Sequence, residues 1–292
     1  MNNNEFKTYH PIVNFTYFAL VIGFAMVFMH PVSLVISFSC AFFCSVLLRG
    51  SKAVKQNLMY MLPTAFLTAA LNPMFNHEGA TILMYLPSGN PLTLESISYG
   101  LAAALMLVSV ICWFSCFSEV MTSDKFVYLF GRIIPSLSLV LSMTLRFVPQ
   151  FIRQIKETAN AQKCIGRGVS GGSVIQRAAN ALSILSIVMT RALENSIETA
   201  DSMKARGYGI KGRTAFSIFA FDRRDCAAML LIVIMGIYII ISAAAGGMNF
   251  EYFPLMCSKS APPFCGGCFV IYAAMCLFPI LVECENIFRR KI

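Results

Sequence analysis

The chain has 292 residues, of which 57% are hydrophobic and only 13% charged, with 25 Phe, 17 Met and a formal net charge of +9. Soluble domains carry roughly a quarter charged residues, so this composition excludes an ordinary soluble globule and fits a polytopic membrane protein, in which runs of ~18 or more nearly uncharged residues cross the bilayer. The charge is concentrated in residues 153–224, where twelve Lys/Arg face five Asp/Glu, a net of +7; the positive-inside bias accounts for it and places that insert in the cytoplasm. No recognition-module pattern accompanies the charge, so nucleic acid is not an expected partner.

In chain order, residues 1–11 are short and mildly polar, and no small-x-small cleavage site separates the first two apolar runs. The first run is therefore expected to be an uncleaved span rather than a leader. Spans are predicted over residues 12–29 and 32–48, separated by His30-Pro31. The loop after them holds Arg49, Lys52 and Lys55 with no acid, which sets it and the N-terminus inside. A third span is expected over 58–75, with Pro63 and Pro73 kinking or ending it. Residues 77–95 lack Lys and Arg, as an external loop should; 81–86 is β-rich and Pro87-Ser88-Gly89-Asn90-Pro91 is a turn signal, so a short hairpin is predicted there. A fourth span follows over 97–120.

Residues 133–145 are apolar, but only 13 residues separate Arg132 from Arg146, and Pro135 interrupts them. At about 1.5 Å per residue they reach ~20 Å, short of a ~30 Å hydrocarbon core. A crossing here would also put the basic insert outside. The segment is read as a helix in or under the inner leaflet, leading into Arg146-Phe147-Val148-Pro149, with a separate helix over 150–165 behind it. Ser170-Gly171-Gly172 breaks the chain and Ser173 is a natural N-cap. A long helix over 174–206, ~50 Å by its rise, carries Leu182, Leu185, Met189, Ala192, Ser196, Ala200 and Met203 at three- and four-residue spacing. That stripe is expected to pack on the preceding helix, with Arg191, Glu194, Glu198, Asp201 and Lys204 on the other face. Spans over 226–245 and 264–282 complete six crossings, and the basic tail Arg289-Arg290-Lys291 stays inside.

The insert holds nearly the same phrase twice. Ala161-Gln162-Lys163-Cys164-Ile165-Gly166-Arg167-Gly168 and, 39 residues on, Ala200-Asp201-Ser202-Met203-Lys204-Ala205-Arg206-Gly207 each end on a small residue, Arg and Gly. One such ending is ordinary capping and dipole chemistry. A matched pair in a basic insert points to a docking surface that presents Gly166, Arg167, Gly168 and Ala205, Arg206, Gly207 to a partner.

Catalytic chemistry is scarce. The three His (His10, His30, His77) sit singly near predicted membrane edges, which argues against metal or haem ligation. No G-x-x-x-x-G-K-[ST] phosphate loop is present, so ATP is not expected to bind by that route. No charge lies mid-span, whereas ion pathways usually show one. The eleven Cys read as apolar filler; Cys40/Cys44 and Cys112/Cys116 stand one helical turn apart. Cys257, Cys265 and Cys268 leave open an external disulfide.

The paired Arg motifs, together with Tyr9-His10-Pro11, Arg146-Phe147-Val148-Pro149 and Ala205-Arg206-Gly207-Tyr208-Gly209, resemble the transmembrane T component of energy-coupling factor (ECF) vitamin transporters, the family that includes the cobalt-transport Q proteins. The resemblance implies an all-α polytopic membrane protein of about six transmembrane helices plus long cytoplasmic coupling helices crossing in an X. It implies residues 1–122 as the first four membrane helices, 123–225 as the coupling region and 226–292 as the last two. It further implies a non-catalytic scaffold in a bacterial cell membrane. That scaffold docks two ATPase subunits through Arg167 and Arg206 and holds a membrane-embedded substrate-binding S component, with ATP on the partner chains and no cofactor of its own. Gly166 stands where Ala is commoner in that family and would loosen the helix just before Arg167. A stand-alone channel or carrier is the alternative reading.

Overall fold

The computed structural model describes the backbone of residues 5–85, 91–133, 135–208, 210, 219–258 and 262–289, and their side chains except 51–53, 56, 132–133, 135–138, 258, 262–265 and 285–289. The chain divides into two compact units, Met1–Thr122 with Phe219–Ile292, and Ser123–Ile218.

The first unit contains a short 3-10 turn (Glu5–Thr8) and helices α1 (Pro11–Val27), α2 (Pro31–Arg49), α3 (Ser51–Phe75) and α4 (Leu94–Val120). The hairpin β1 (Ile82–Tyr85) and β2 (Pro91–Thr93) joins α3 to α4. Among the described residues, five helices of the whole chain are long and apolar enough to cross a membrane: α2, the 57–75 part of α3, α4, and two from beyond the insert. Helix α1 is apolar but has 17 residues, about 25 Å by its rise.

The same device starts α1 and α2. Proline at the first helical position fixes φ where no N–H is needed, and the preceding His caps it. His10 Nδ1 accepts from the Ile12 N–H at 3.3 Å, and His30 Nδ1 accepts from the Val32 N–H at 3.2 Å. Pro63 and Pro73 lie inside α3, which runs through both before stopping at Phe75. The second proline thus falls in the last turn, two residues before the helix ends.

Two further helices, which follow the insert in the chain, close the bundle. The second unit holds α5 (Ser123–Ile133), α6 (Pro135–Cys164) and α7 (Val174–Ala205). Two expectations change here. A single helix of 30 residues replaces the separate segments predicted on either side of Arg146-Phe147-Val148-Pro149, with Pro149 inside it. Residues 135–145 are thus one end of a longer rod. The buried row of α7 also differs from the predicted stripe. Ile184 and Val188 are its buried residues, whereas Leu182, Leu185 and Met189 are at least half exposed. Both rows are apolar at helical spacing; the rotation of α7 against α6 selects the former. Ser173 caps α7 as predicted, its side chain accepting from the Gln176 N–H.

The chain then returns to the first unit through α8 (Arg223–Ala244), the small strands β3 (Phe250–Glu251) and β4 (Cys257–Ser258), and α9 (Pro262–Arg289). Helix α4 packs against α1, α2 and α3, while α9 packs on α2 and α8. The core centres on Trp113, which is fully buried. Its Nε1–H donates to Ser37 Oγ at 3.0 Å, and Tyr17 and Phe18 pack edge-on to its ring at 6.3 and 6.4 Å. Cys40, Cys44, Cys112, Cys116 and Cys276 fill the same core as buried thiols, apolar filler as expected. Cys268 is buried and Cys257 is an exposed thiol, while the side chain of Cys265 lies outside the described residues.

The ends of this bundle are chemically distinct. At one end Glu119 accepts from Lys7 Nζ at 2.6 Å and from Arg49 Nε at 3.3 Å, tying the N-terminal turn to α2 and α4. There too, buried Asp225 accepts from the His10 N–H at 3.3 Å and the Asp222 N–H at 3.2 Å, so the Tyr9-His10-Pro11 opening is clamped to the start of α8. Arg224 lies 4.5 Å over the Tyr9 ring. At the opposite end, the Thr81–Glu95 bond apart, the helix connections are joined by neutral bonds, Tyr252 Oη–H to the Met29 carbonyl at 2.8 Å and the Ala80 N–H to the Pro254 carbonyl at 3.2 Å. Helix α1 runs from the charged end to the neutral end, as its longer neighbours do, so six helices traverse the unit.

Candidate functional site

The two Arg-Gly phrases both terminate helices of the second unit, and both do so by the same hydrogen-bonding scheme. After α6, the Gly166 N–H donates to the Lys163 carbonyl at 3.1 Å and the Arg167 N–H to the Gln162 carbonyl at 2.9 Å. After α7, the Gly207 N–H donates to the Lys204 carbonyl at 2.9 Å and the Tyr208 N–H to the Met203 carbonyl at 3.0 Å. Each is a Schellman ending, in which a left-handed residue turns the chain and two orphan carbonyls are satisfied. The left-handed residues are Gly166, with φ of 78°, and Gly207, with φ of 79°.

This corrects the register in which the phrases were matched. Aligned by residue type, Arg167 corresponds to Arg206; aligned by geometry, Gly166 corresponds to Gly207. Arg206 is thus the C-cap, on the helical side of its glycine, while Arg167 comes one residue after its own. Gly166 is therefore not a loosened last helical residue but the turning residue itself. Gly168 and Ala205 adopt no left-handed conformation. Gly209 lies outside the described residues.

Both arginines are exposed, and among the described residues neither guanidinium has a hydrogen-bond or ion-pair partner. Apolar side chains flank them. Ile165 is exposed beside Arg167, and Tyr208 and Ile210 are exposed beyond Arg206. A guanidinium with five fixed donors, ringed by apolar surface, is suited to fork onto a carboxylate at a protein interface.

Residues missed in the sequence fix where Arg167 stands. Arg177 Nε donates to the Val169 carbonyl at 2.8 Å, and Asn180 Nδ2 donates to the Gly168 carbonyl at 3.0 Å. The first two turns of α7 therefore hold the loop that carries Arg167. Arg206 caps the far end of that helix, 26 residues beyond Asn180, about 40 Å along the axis. The two arginines mark opposite ends of one rod, too far apart for a single groove to take both. The only sequence signal for this grip was the placement of two long donor side chains just after the Ser173 cap.

Helix α7 leaves Leu182, Leu185, Met189, Leu193 and Ile197 exposed, 50–66% by residue. Among the described residues no cluster of three or more His, Cys, Asp or Glu is placed to hold a metal ion.

Nine helices among the described residues, five of them long and apolar enough to cross a membrane, define an all-α, multi-pass membrane protein. The sequence matches the cobalt transport protein family, CbiQ, over residues 5–216, and the chain belongs to that family. It is similar to proteins named energy-coupling factor transporter transmembrane protein EcfT. These include one from Streptococcus equi subsp. equi, 33% identical over 104 residues, and one from Brevibacillus brevis, 32% identical over 111 residues. Another is from Lactobacillus helveticus, 30% identical over 103 residues. The matched stretches cover 35–36% of this chain and only 39%, 42% and 37% of those relatives' own lengths.

Proposed function

We propose that this protein is the transmembrane scaffold and energy-coupling subunit of an ATP-driven ECF-type importer of a vitamin or metal in a bacterial cell membrane. Two ATPase subunits dock on it, one at Arg167 and one at Arg206, and a membrane-embedded S component binds the substrate. The observation that carries this reading is the pair of exposed arginines, unpartnered among the described residues, at opposite ends of one helix, each set by a Schellman turn. A rigid rod with a docking charge at each end can convert a change in separation between two partners into a motion of the rod. The exposed apolar row of α7 offers a face to the S component. The chain itself performs no catalysis in this scheme.

The test is assembly. In Arg206→Ala one charge-assisted contact is removed, at a cost of about 2–5 kcal/mol if that contact is buried on docking. Copurification of the ATPases should weaken by orders of magnitude, with the membrane protein still folded. Arg167→Ala should act alike, and the double variant should recover no ATPase. Glu194→Ala, on an exposed part of α7, serves as control. Full assembly and ATP turnover in the double variant would exclude the docking role and return both arginines to simple capping.

A further inference from the structure

We infer that the β1–β2 hairpin is a membrane-interface anchor, with Ile82, Leu83, Met84 and Tyr85 resting in the headgroup-to-acyl boundary of the leaflet at the neutral end of the bundle. Successive residues of a strand point to opposite faces, and a strand with one face on a core and one in water alternates apolar with polar residues. Strand β1 does not alternate. All four of its residues are apolar or aromatic, and all are 49–65% exposed. Both faces are thus open, and both are apolar. A docking protein covers one edge or one face of such an element; a surrounding lipid layer covers both.

The hairpin is also held in place. An isolated two-stranded hairpin is marginal in water, but this one has a polar, hydrogen-bonded base. Thr81 Oγ1–H donates to Glu95 at 2.6 Å, Thr93 Oγ1–H to the Glu78 carbonyl at 2.8 Å, and Ser96 Oγ–H to the Asn76 carbonyl at 2.6 Å. The base fastens the hairpin to the start of α4 and leaves the apolar blade projecting. On either side the blade continues into exposed apolar surface of membrane-crossing helices, Met74 and Phe75 at the end of α3 and Leu94 and Ile97 at the start of α4. No Lys or Arg occurs between Lys55 and Lys125, so no cation on this segment draws the blade into water.

Depth follows from the backbone. A two-stranded sheet has two unpaired edges, and open edges do not occur within hydrocarbon because their N–H and C=O groups have no partners there. Tyr85 agrees, since tyrosine concentrates at the membrane–water interface. The blade therefore lies shallow.

The measurement is tryptophan quenching in the full chain, reconstituted in phosphatidylcholine–phosphatidylglycerol vesicles. Trp113 is the chain's single tryptophan and is fully buried, so its emission is a constant background. Met84→Trp adds the reporter; Phe66→Trp, exposed midway along α3, calibrates deep lipid, and Glu194→Trp calibrates water. The added emission of Met84→Trp should be lost mostly to lipids brominated near the glycerol end of the chains. Lipids brominated near the methyl end should quench it less, and aqueous iodide little. Iodide quenching equal to that of Glu194→Trp, the deep profile of Phe66→Trp, or indifference to both lipid quenchers would each overturn the assignment. Leu83→Trp repeats the measurement if Met84→Trp does not fold.

Discussion

The membrane unit seals its large side chains, with Trp113, Tyr17, Tyr272 and Phe18 all fully buried. Helix α7 of the other unit, the longest in the chain at 32 residues, buries only Ile184 and Val188. Both units also bury polar atoms that have no hydrogen-bond partner among the described residues, Asn14 Oδ1, Ser242 Oγ and Tyr272 Oη in the membrane unit among them. In the membrane unit the Trp113 indole, the Asn57 amide and the Glu119 carboxylate are all bonded. In the second unit one row of α6 turns Gln154, Thr158 and Gln162 inward, and their side-chain oxygens are buried without a hydrogen-bond partner among the described residues. Leaving a buried polar group unbonded costs about 1–3 kcal/mol. The α6–α7 seam is therefore narrow, whereas the bundle core is broad. A rod held by such a seam can shift against its neighbour at little cost, which a fully packed helix cannot do.

The largest effect should come from opening the membrane core. Trp113→Ala removes a fully buried ring and strands the Ser37 hydroxyl, a change of about 3–5 kcal/mol by the general cost of large-to-small core substitutions. Hydrogen exchange in detergent should show α2 and α4 losing protection while α6 and α7 keep theirs. Equal loss in both units would mean that they do not open independently.

Next is the seam itself. Ile184→Ala should cost toward the low end of the 2–5 kcal/mol range for buried aliphatics, read as lost exchange protection in α7. Leu185→Ala, one residue on and half exposed, should stay within about 0.5 kcal/mol of the parent. Comparable losses would show that the row predicted from spacing, not Ile184 and Val188, makes the contact. Thr158→Val, which removes an unbonded hydroxyl at nearly constant shape, should be neutral or stabilising.

The helix ends should respond less, and unequally. Ala at Gly166 or Gly207 is forced into the left-handed region, at roughly 1–2 kcal/mol each; at Gly207 the new Cβ would also come within 3.0 Å of Ile210 Cδ1. Gly168→Ala, free of that conformation, should be silent. Helix-end fraying measured by exchange at Gln162–Arg167 and Met203–Tyr208 checks the order. A large effect at Gly168 with none at Gly166 would restore the register that residue type alone suggests.

These cases mark how far the sequence could be read. The β-rich residues 81–85 ahead of a Pro-Ser-Gly-Asn-Pro turn announced the hairpin, although residues 86–90 lie outside the described structure. The membrane helices were legible because length and hydropathy decide them with little help from tertiary contacts. Which of two glycines reverses the chain in Gly166-Arg167-Gly168 was not legible, since either could adopt positive φ and only the hydrogen-bonded carbonyl partners choose. Likewise α7 has apolar residues on two adjacent rows, and periodicity does not say which one meets a neighbour. Proline misled at 149, where α6 runs on through its interior. The arginines were visible as a repeated phrase; the distance between them depended on Arg177 and Asn180, whose grip on the loop is a tertiary fact.

The smallest effect predicted is one of pH, and it belongs to the membrane unit. His30 is buried between the Phe250 and Phe269 rings, 5.5 and 4.7 Å away, and burial lowers its pKa below the ordinary imidazole value. Its Nδ1 is an acceptor in the cap of α2, so the folded protein holds it neutral. A base whose folded pKa lies below its unfolded one binds a proton more readily when unfolded, and stability then rises with pH. The contribution is therefore complete above the unfolded value, near 6.5, and is lost as pH falls below it. Thermal unfolding of the purified chain should show a lower midpoint at acid pH than at mildly alkaline pH. His30→Asn keeps a good N-cap acceptor without a titrating group, and should flatten that dependence while α6 and α7 are unaffected. An unchanged pH profile in His30→Asn would place the acid sensitivity elsewhere in the bundle.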